Sequence, residues 1–548
     1  MHRAGLKLAI AAGILAALGA ACGRTGPAGA GGGVPAAAPR AILVMVINAE
    51  PKTLDPAYIT DMVSIRVAAG LLEGLTVLNE ETLAPEPGVA ESWTVSPDGL
   101  IYTFRLRPAL WSDGSPMTAD DFIRSWRRVL DPATAADYAY MLFHIRNAAK
   151  FNRGECPFEE VGLRSCEGGM EVTLERPTAF FLDLTAFVTY LPVPGAAVAK
   201  HGEAWTRPEN FVGNGPFLLA RHAMHDRLVL AKNPRYHAAA DVKLDELVLR
   251  VMEDTTVAFN EYDAGGVDII TSVPVNIYRN IRDLHRTDLH VFTTLGTYFV
   301  RFNVTRPPFN DVRVRRAFAL AIDRSFITAR VTEAGEIPAD GLTPAGTARR
   351  PAMPAAVRCD PATACGLMEQ AGFPQGRGFP RVEYLFNTNE DHKRIANYLT
   401  DTWKKTLGVE AVPVNMEWKS YLDATKALDF ALARSVWNAD INDPINFLEL
   451  FISGNPNNRT GWSNAEYDRL LAAAGAEGDA ARRTELLAGA EQLLAMEMPV
   501  IPLHYMVSMF MYRDRVGGIH PNPLNWVRPG RLHLKPPTDA RGQRSEVR

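Results

Sequence analysis

Two carboxylates stand close behind an apolar stretch in the segment ARSVWNADINDP, residues 433–444. Asp440 follows Trp437, and Asp443 directly precedes Pro444. A carboxylate fixed at the end of a buried strand can pair with an ammonium group, which is costly to enclose away from water unless it is paired. An Asp in this position can instead accept hydrogen bonds from nearby backbone amides in a turn. Asp440 is therefore either an amine-binding residue or a turn residue.

Asp443 reads differently from Asp440. Pro444 would occupy the first position of a helix, and the apolar run INFLELF follows it. Asp is a preferred N-cap residue, and proline is over-represented at the first helical position. The sequence therefore predicts a structural role for Asp443.

The chain carries no sequence motif for catalysis. G-x-S-x-G, H-E-x-x-H and G-x-x-x-x-G-K-[ST] do not occur, and the glycines at 31–33 follow no strand. His222 and His225 could chelate a metal on a helix, but their segment reads as a strand that turns, which puts the two side chains on opposite faces. We therefore expect no enzyme activity, no cofactor and no resident metal.

The N-terminus predicts export. Arg3 and Lys7 precede an uncharged apolar stretch, residues 8–21, that is too short to remain as a membrane span, so residues 1–21 are read as a signal peptide. Small residues precede Cys22, which resembles the lipidated cysteine of a bacterial lipoprotein, although Leu18 lies four residues before it rather than three. Ordinary cleavage nearby is the alternative. Residues 22–40, rich in Gly, Ala and Pro, are predicted to form a flexible tether.

Four further cysteines form two close pairs in loop-like sequence. An exported chain meets an oxidising compartment, so we expect the disulfides Cys156–Cys166 and Cys359–Cys365. Zinc binding is the competing interpretation, but no C-x-x-C spacing supports it.

Helices and strands elsewhere in the chain must position these residues. The chain has 548 residues, which is long enough for two or three lobes. A hydrophobic fraction of 47% and a charged fraction of 22% are typical of a soluble globular protein. The formal net charge of −4 lacks the basic excess that phosphate neutralisation requires, which argues against nucleic acid as a partner.

Strands and helices alternate along the sequence, which indicates an α/β fold. Residues 42–48 and 102–107 are predicted strands, and Thr118 is the predicted cap of a helix with Phe122, Trp126 and Val129 on one face. Helices are predicted within 310–324, 391–408 and 481–498, strands at 409–416 and 429–437, and a central strand at 500–514.

Several segments together resemble one known family. AEPKTLDPAYIT (49–60), the stretch GVAESWTVSPDG through RVLDP (88–132), FVGNGPF (211–217) and PPFNDVRVRRAFALAIDR (307–324) are similar to the extracytoplasmic solute-binding proteins of peptide ABC transporters, family 5. The resemblance runs from about residue 42 to about residue 530. It implies a monomeric, extracytoplasmic receptor that captures short peptides and delivers them to a membrane permease with its ATPase.

The resemblance also implies a two-lobed fold of the periplasmic-binding-protein type, with a hinge and an inserted domain. Residues 41–72, 197–296 and 508–540 would form the first lobe, 73–196 the insert, 297–507 the second lobe, and 541–548 a mobile tail. In such a fold an extended peptide borrows main-chain hydrogen bonds from the protein, which gives affinity without reading side chains.

Site residues follow from the resemblance one at a time. Asp440 matches the family acid that binds the amino terminus of the peptide. Tyr138, Trp418 and Trp437 match aromatic residues of the cleft, with core packing as the alternative for each. Arg434 and His392 match positions that meet the carboxy-terminal end, and His392 could equally be a surface or helix-capping residue.

The sequence departs from the family at four other positions of the cleft. Thr332 and Thr425 replace two cations that meet the carboxy terminus, while Val436 replaces a Gly and Asn438 a Cys beside Trp437. These changes put the preferred peptide length in doubt. The alternatives are a non-peptide ligand, such as a metal chelate, sugar or haem-like molecule, and an exported peptide hydrolase.

Overall fold

The computed structural model describes residues 40–353 and 358–536. The predicted signal peptide, Cys22, most of the predicted tether and the predicted mobile tail lie outside these residues. Within them, no helix has the length and apolar character needed to cross a membrane.

The strands are numbered in chain order. They are β1 (Ile42–Ile47), β2 (Thr76–Leu78), β3 (Pro85–Pro87), β4 (Ala90–Val95), β5 (Ile101–Leu106), β6 (Leu163–Cys166), β7 (Gly169–Thr173), β8 (Phe217–Ala223), β9 (Arg227–Lys232), β10 (Glu246–Val251), β11 (Ile269–Ile270), β12 (Leu289–Phe302), β13 (Ile337–Pro338), β14 (Val382–Asn387), β15 (Ala411–Met416), β16 (Leu432–Asn438), β17 (Val500–Tyr512), β18 (Val516–Gly517) and β19 (His533–Leu534).

The α-helices are numbered in the same way. They are α1 (Met62–Leu71), α2 (Ala119–Leu130), α3 (Ala148–Asn152), α4 (Phe181–Leu184), α5 (Gly195–His201), α6 (Thr255–Asp263), α7 (Val275–Ile281), α8 (Val312–Leu320), α9 (Arg324–Phe326), α10 (Pro361–Gln370), α11 (Glu390–Leu407), α12 (Trp418–Lys426), α13 (Ile445–Leu448), α14 (Ala465–Ala476) and α15 (Ala480–Glu497).

The protein is a two-lobed α/β fold whose lobes share one large sheet. The strand order is β15-β14-β16-β12-β17-β11-β1-β10-β9-β8, with β13 paired to β17 off this path. Strands β14, β15 and β16 lie at one end and β1 and β8 to β11 at the other, so the long strands β12 and β17 join the two groups. The end of the sheet that contains β14 and β16 has its own apolar core, formed by residues such as Phe302, Phe318, Trp403 and Ile501.

The ladder between the two long strands is interrupted. Thr293 of β12 pairs with Val507 of β17, and the next pair is Thr297 with Tyr505, so residues 294–296 are left without β17 partners. A bulge of this kind bends a strand and increases its local twist. The interruption lies where the first group of strands gives way to the second, because β16 pairs with β12 only from Gly296 onward.

A separate sheet of four antiparallel strands has the order β4-β5-β7-β6. Helix α2 packs beside it and buries Phe122, Trp126 and Val129 on one face, as the sequence predicts. Thr118 and Asp121 form a capping box at its start.

The other elements predicted from periodicity are present. The predicted strands at 42–48, 409–416 and 429–437 are β1, β15 and β16, and the predicted central strand is β17. Helix α11 begins at the Asn389 cap and ends at Gly408, which is left-handed with φ 73°.

The structure corrects the prediction of two disulfides, because Cys156, Cys166, Cys359 and Cys365 are all free thiols. Cys359 Sγ faces the carbonyl of Ala321, whereas Cys365 lies within α10 and faces the carbonyl of Thr406, at 3.2 Å. Cys156 Sγ faces the carbonyl of Asn147. Proximity in sequence did not predict pairing, because the elements around Cys359 and Cys365 direct the two sulfurs to different neighbours.

Candidate ligand-binding site

A cavity of about 780 Å³ opens at the interruption between β12 and β17. Its floor includes Thr294 and Leu295 of β12 and Met506 and Val507 of β17. Its walls come from segments far apart in sequence: α1, the loop with Tyr138, α4, the end of β16 and the loop at 523–526. The volume lies in the range of pockets that enclose small ligands.

Asp440 lies on the wall of this cavity, just after the end of β16. The segment is fixed by backbone contacts, because Ala439 N donates to the carbonyl of Leu295 at 2.7 Å and Asp440 N donates to Asn446 Oδ1 at 3.1 Å. Trp437 Nε1 donates to the same Asn446 oxygen at 3.2 Å. Asp440 does not use its carboxylate to make the turn, since the Asn446 side chain organises the backbone instead.

The carboxylate of Asp440 has a raised pKa. Burial raises its pKa to about 6, and the hydroxyl of Tyr138 only partly opposes this rise. No cation of the described chain counts among the groups that shift this pKa. A buried carboxylate without a cation is costly, and an ammonium group placed beside it would remove that cost.

Two more acids with raised pKa values lie at this end of the cavity. Asp183 of α4 lines the cavity, and burial raises its pKa to about 7. Glu449 has its pKa raised to about 7 by burial, with Asp443 and Asp440 adding to the rise. Arg349 opposes the rise at Asp183 and Arg176 opposes the rise at Glu449, so these two acids have cations nearby, which Asp440 lacks.

Asp443 has the structural role that the sequence predicts. Its Oδ1 accepts a hydrogen bond from the backbone N–H of Ile445 at 3.0 Å, at the start of α13. It also forms a two-pronged ion pair with Arg483, at 2.8 and 2.9 Å, and the two side chains are 1% and 3% exposed. The Arg483 partner lies on α15 and could not be read from the local sequence.

Tyr138 and Trp437 both line the large cavity, as their predicted role requires. The Tyr138 ring packs edge-on against Tyr140, with ring centroids 5.7 Å apart, and burial with the nearby charge of Asp440 raises its pKa to about 12. Tyr138 therefore stays protonated at physiological pH and can donate a hydrogen bond beside Asp440.

Arg434 and Trp418 lie beside a second cavity, of about 140 Å³. Val436, Trp437 and Asn457 line both cavities, so the smaller one adjoins the larger. Arg434 is 7% exposed, its Nε donates to Asn387 Oδ1 at 2.7 Å, and its guanidinium lies 5.8 Å from the Trp418 ring. Trp418 itself is 51% exposed and stacks on Tyr421.

His392 lines neither cavity. It lies in the first turn of α11, where its backbone N–H donates to the Asn389 cap, and its ring lies next to Tyr298. Burial, with the charges of Arg434 and His504, lowers its pKa to about 4. His392 is therefore neutral at physiological pH, and its location fits a helix-start residue better than a cation for the ligand.

Thr332 and Thr425, which the resemblance sets in place of family cations, do not line the large cavity. Thr332 is buried and donates to Glu336, whereas Thr425 lines the smaller cavity and accepts from Arg459 Nη1 at 3.2 Å. The chain thus brings a different arginine next to position 425.

Sequence reasoning missed several residues of the two cavities. Tyr140 and Asp183 line the large one, and Arg301 and Arg459 line the smaller one. Arg301 stands as a lone charge in the apolar strand run TYFVRF, a signal that could have drawn attention to it. Asp183 and Arg459 lie in ordinary loop or short-helix sequence and carried no such signal.

His222 and His225 do not converge. The Nε2 atom of His222 lies 2.5 Å from Glu50 Oε1, while His225 uses its backbone N–H to contact the other oxygen of Glu50. Among the residues that the structure describes, no group of His, Cys, Asp and Glu has the arrangement of a metal site.

Comparisons with known proteins agree with this architecture. Residues 84–459 match the family model described as bacterial extracellular solute-binding proteins, family 5, middle. The probable deoxycholate-binding periplasmic protein YgiS of Escherichia coli is 35% identical, over 91% of this chain and 94% of that protein. The periplasmic oligopeptide-binding protein OppA of Salmonella typhimurium is also 35% identical, over 93% of this chain and 95% of that protein.

Solved structures show the same similarity. A structure described as the unliganded open form of the periplasmic murein tripeptide binding protein MppA aligns with a TM-score of 0.81. It is 33% identical and covers 90% of this chain and 97% of its own.

Proposed function

Because this chain belongs to family 5 of the bacterial extracellular solute-binding proteins, we propose that it is the substrate-binding receptor of an ABC importer. It captures short peptides between its two lobes and delivers them to a membrane permease driven by an ATPase. The name of its relative OppA, an oligopeptide-binding protein, supports peptides as the ligand class.

The observation that carries this proposal is the unpaired carboxylate of Asp440 on the cleft wall. Peptides of any sequence share a charged amino terminus, and Asp440 meets the requirement for a buried partner. Tyr138 and Trp437 flank the acid and offer amphipathic rings to the chain that follows the amino terminus. Arg434 supplies a permanent positive charge farther along β16 for the opposite end of a short peptide.

The proposed lobe boundaries agree with the path of the main sheet. The first lobe consists of 41–72, 197–296 and 508–540, the second of 297–507, and residues 73–196 form the insert. The interruption of the β12–β17 ladder between Thr293 and Thr297 falls at the proposed junction and supports it as the hinge.

A direct test is isothermal titration of the purified protein with di- to pentapeptides, together with mass spectrometry of any ligand released from protein purified without refolding. We expect short peptides in the released material and saturable binding of one peptide per protein. Failure of every peptide to bind ligand-free protein would contradict the proposal.

Asp440→Asn is the sharpest variant for the same proposal. Removing the charge should weaken binding about thirtyfold or more, because truncating one partner of a buried charge pair costs about 2–5 kcal/mol. The unliganded variant should unfold at the same temperature or higher, since the partly buried carboxylate of Asp440 has no cation beside it in the free protein.

Asp443→Asn is the matched control on the same segment. It breaks the buried pair with Arg483 and should lower the free energy of unfolding by about 3–5 kcal/mol, while the folded protein still binds peptide. Equal peptide affinity of the Asp440→Asn variant and the unaltered protein, at matched folded fractions, would overturn the assigned role of Asp440.

We propose that the protein binds peptides without converting them. The cleft residues described above include no nucleophile paired with a base, which supports a receptor over a hydrolase. Incubation with labelled peptides should return them intact. Cleavage that follows the protein through purification would contradict this.

A second candidate ligand is a bile-acid-like amphipathic anion. The name of the relative YgiS, a probable deoxycholate-binding protein, suggests this candidate. The cleft has apolar walls and nearby arginines that would suit such a molecule. Its acidic end, with Asp440 and Asp183, has no use for a ligand that lacks an amine. Titration with deoxycholate separates the two: tight binding that persists in Asp440→Asn would favour the second candidate.

The protein acts outside the cytoplasm as a monomer, anchored to a bacterial membrane by a lipid on Cys22. This part of the proposal rests on the N-terminal sequence and on the periplasmic relatives. Mass spectrometry of the mature N-terminus after membrane extraction tests it, and a mature chain without a lipid at Cys22 would refute the anchor.

A further inference from the structure

The smaller cavity beside the cleft brings together three arginines from distant parts of the chain. Arg301 comes from β12, Arg434 from β16 and Arg459 from the loop that precedes Thr460. Their charges lie close enough that Arg459 and Arg434 both disfavour the charged form of Arg301. Trp418, Tyr421 and Phe451 complete the wall with aromatic rings.

No carboxylate balances these charges. The described residues that line the cavity include no Asp or Glu. Arg301 donates from Nη2 to the hydroxyl of Ser435, but its buried Nε and Nη1 atoms have no hydrogen-bond partner. Arg434 uses Nε to contact Asn387, and Arg459 uses Nη1 to contact Thr425. The guanidinium donors thus exceed their protein acceptors.

This arrangement is costly for the free protein. Burial, the main cause, lowers the pKa of Arg301 to about 10. The ring of Phe299, 5.7 Å from the Arg301 guanidinium, offers a favourable contact but no acceptor for its N–H groups. A planar anion would satisfy donors from more than one guanidinium at once.

We propose that Arg301 and Arg459 of this arginine cavity bind a carboxylate side chain of the ligand, while Arg434 serves the carboxy-terminal end, so that the protein prefers peptides with Asp or Glu near the amino terminus. The inference rests on the proposed peptide-binding function and adds a side-chain preference to it. The volume of about 140 Å³ is too small for a peptide backbone and suits one side chain.

The distance of the cavity from Asp440 indicates which residue of the peptide would place its side chain in the cavity. Val436 and Trp437, which form the shared wall, come three to four residues before Asp440 in the sequence. Strand residues advance about 3.3 Å each, so the wall lies roughly 10–13 Å from the amine site. An extended peptide covers that distance in about three residues, and the acidic side chain would belong to the second or third.

The first test uses the unaltered protein and needs no variant. Ala-Glu-Ala and Ala-Ala-Glu are compared with Ala-Gln-Ala and Ala-Ala-Gln by isothermal titration, and each peptide is also made with an amidated carboxy terminus. We expect at least one Glu peptide to bind about tenfold tighter or more than its Gln partner, because charge-assisted hydrogen bonds are lost with Gln. The preference should persist in the amidated peptides.

Variants then assign the preference to the cavity. Arg301→Gln and Arg459→Gln should each reduce the ratio of Glu to Gln affinity toward one. Arg306→Gln is the control, since Arg306 lies near Arg301 in sequence but its side chain is 57% exposed and pairs with Asp429 on the surface. The control should keep the full ratio.

The outcomes separate this inference from the function on which it rests. If no peptide binds, the proposed function fails first. If peptides bind but each Glu peptide equals its Gln partner, the subsite is refuted and the receptor function stands. Loss of the preference on amidation would mean that the terminal carboxylate occupies the arginines, which also refutes a side-chain subsite.

Discussion

Asp440 and Arg301 present the same physical problem with opposite sign. Asp440 is partly buried on the cavity wall, two guanidinium nitrogens of Arg301 are buried, and neither side chain has a protein partner of opposite charge among the described residues. Folding gains nothing from such groups, because an unpaired buried charge is destabilising. Both therefore are best explained by a ligand that carries an ammonium group at one point and a carboxylate at another.

The pH dependence of binding follows from Asp440. Its pKa is raised to about 6 in the free protein, and a bound ammonium group would lower it in the complex. Binding thus favours the deprotonated form: affinity levels off above about pH 7, is about half of that value near pH 6 and falls by about tenfold per pH unit well below pH 6. Above about pH 8 the peptide amine loses its proton, so titrations should give a bell-shaped profile.

Asp183 and Glu449 also titrate near this site, with pKa values of about 7. The Asp440→Asn variant separates their contribution, because the loss of affinity below pH 6 should disappear in it. An N-acetylated peptide should bind weakly at every pH. A flat profile for the unaltered protein between pH 4.5 and 7 would contradict the role of Asp440.

At the scale of elements, β16 and α11 position the charged ends of the site. Strand β16 places Arg434 near its start, and Asp440 follows its end, so one strand fixes the spacing of opposite charges. Asn387, at the end of β14, holds Arg434, and α11 begins just after it. The turn at the other end of α11 leads into β15, which pairs with β14 along its length.

The turn after α11 requires glycine at position 408. Its φ of 73° is left-handed, and a Cβ there would lie 2.2 Å from the carbonyl oxygen of Gln375. We expect Gly408→Ala to lower the free energy of unfolding by more than the ~1–2 kcal/mol of a left-handed residue alone, because the backbone must also move. Denaturant titration measures the change.

Gly372→Ala is the matched control, since Gly372 also has a positive φ, 91°, but no atom within 4 Å of the added Cβ. It should lose the conformational contribution only. If the two variants lose equal stability, the contact with Gln375 is not what requires glycine at position 408.

At the scale of the whole molecule, the interruption between β12 and β17 forms the floor of the cleft and joins the two lobes. Residues 294–296 lack partners in β17, which supports them as the proposed hinge, while Gly296 keeps its pairing with Asn438 of β16. A ligand shifts such an equilibrium only if it contacts both lobes in the closed state. The proposed peptide would meet that condition, because the cavity is lined by the end of β16 and also by α1 and the loop at 523–526.

Peptide addition should therefore close the lobes. We expect small-angle X-ray scattering to report a smaller radius of gyration at saturating peptide. The Asp440→Asn variant at the same peptide concentration should keep the larger value. An unchanged radius at a concentration where titration shows saturation would contradict hinge closure.

Periodicity, caps and turns predicted most elements near the site, including β16, the α2 capping box and the Gly408 stop of α11. These signals are local, because hydrogen bonds within a helix and the alternation of a strand depend on neighbours in sequence. The two acids after Trp437 were also told apart locally, since Pro444 marks a helix start. The disulfide prediction was wrong because sulfur direction depends on neighbouring elements rather than on spacing.

The sequence by itself indicated the fold class and the family and singled out Asp440 as a candidate amine-binding residue, because contiguous motifs carry all three signals. Only the tertiary structure brought Arg301, Arg434 and Arg459 to one cavity and paired Asp443 with Arg483. Those residues lie far apart in the chain, and their meeting depends on how β12, β16 and the helices pack. Charge without a partner is a property of the packed molecule, so the clearest sign of the ligand's chemistry became visible only there.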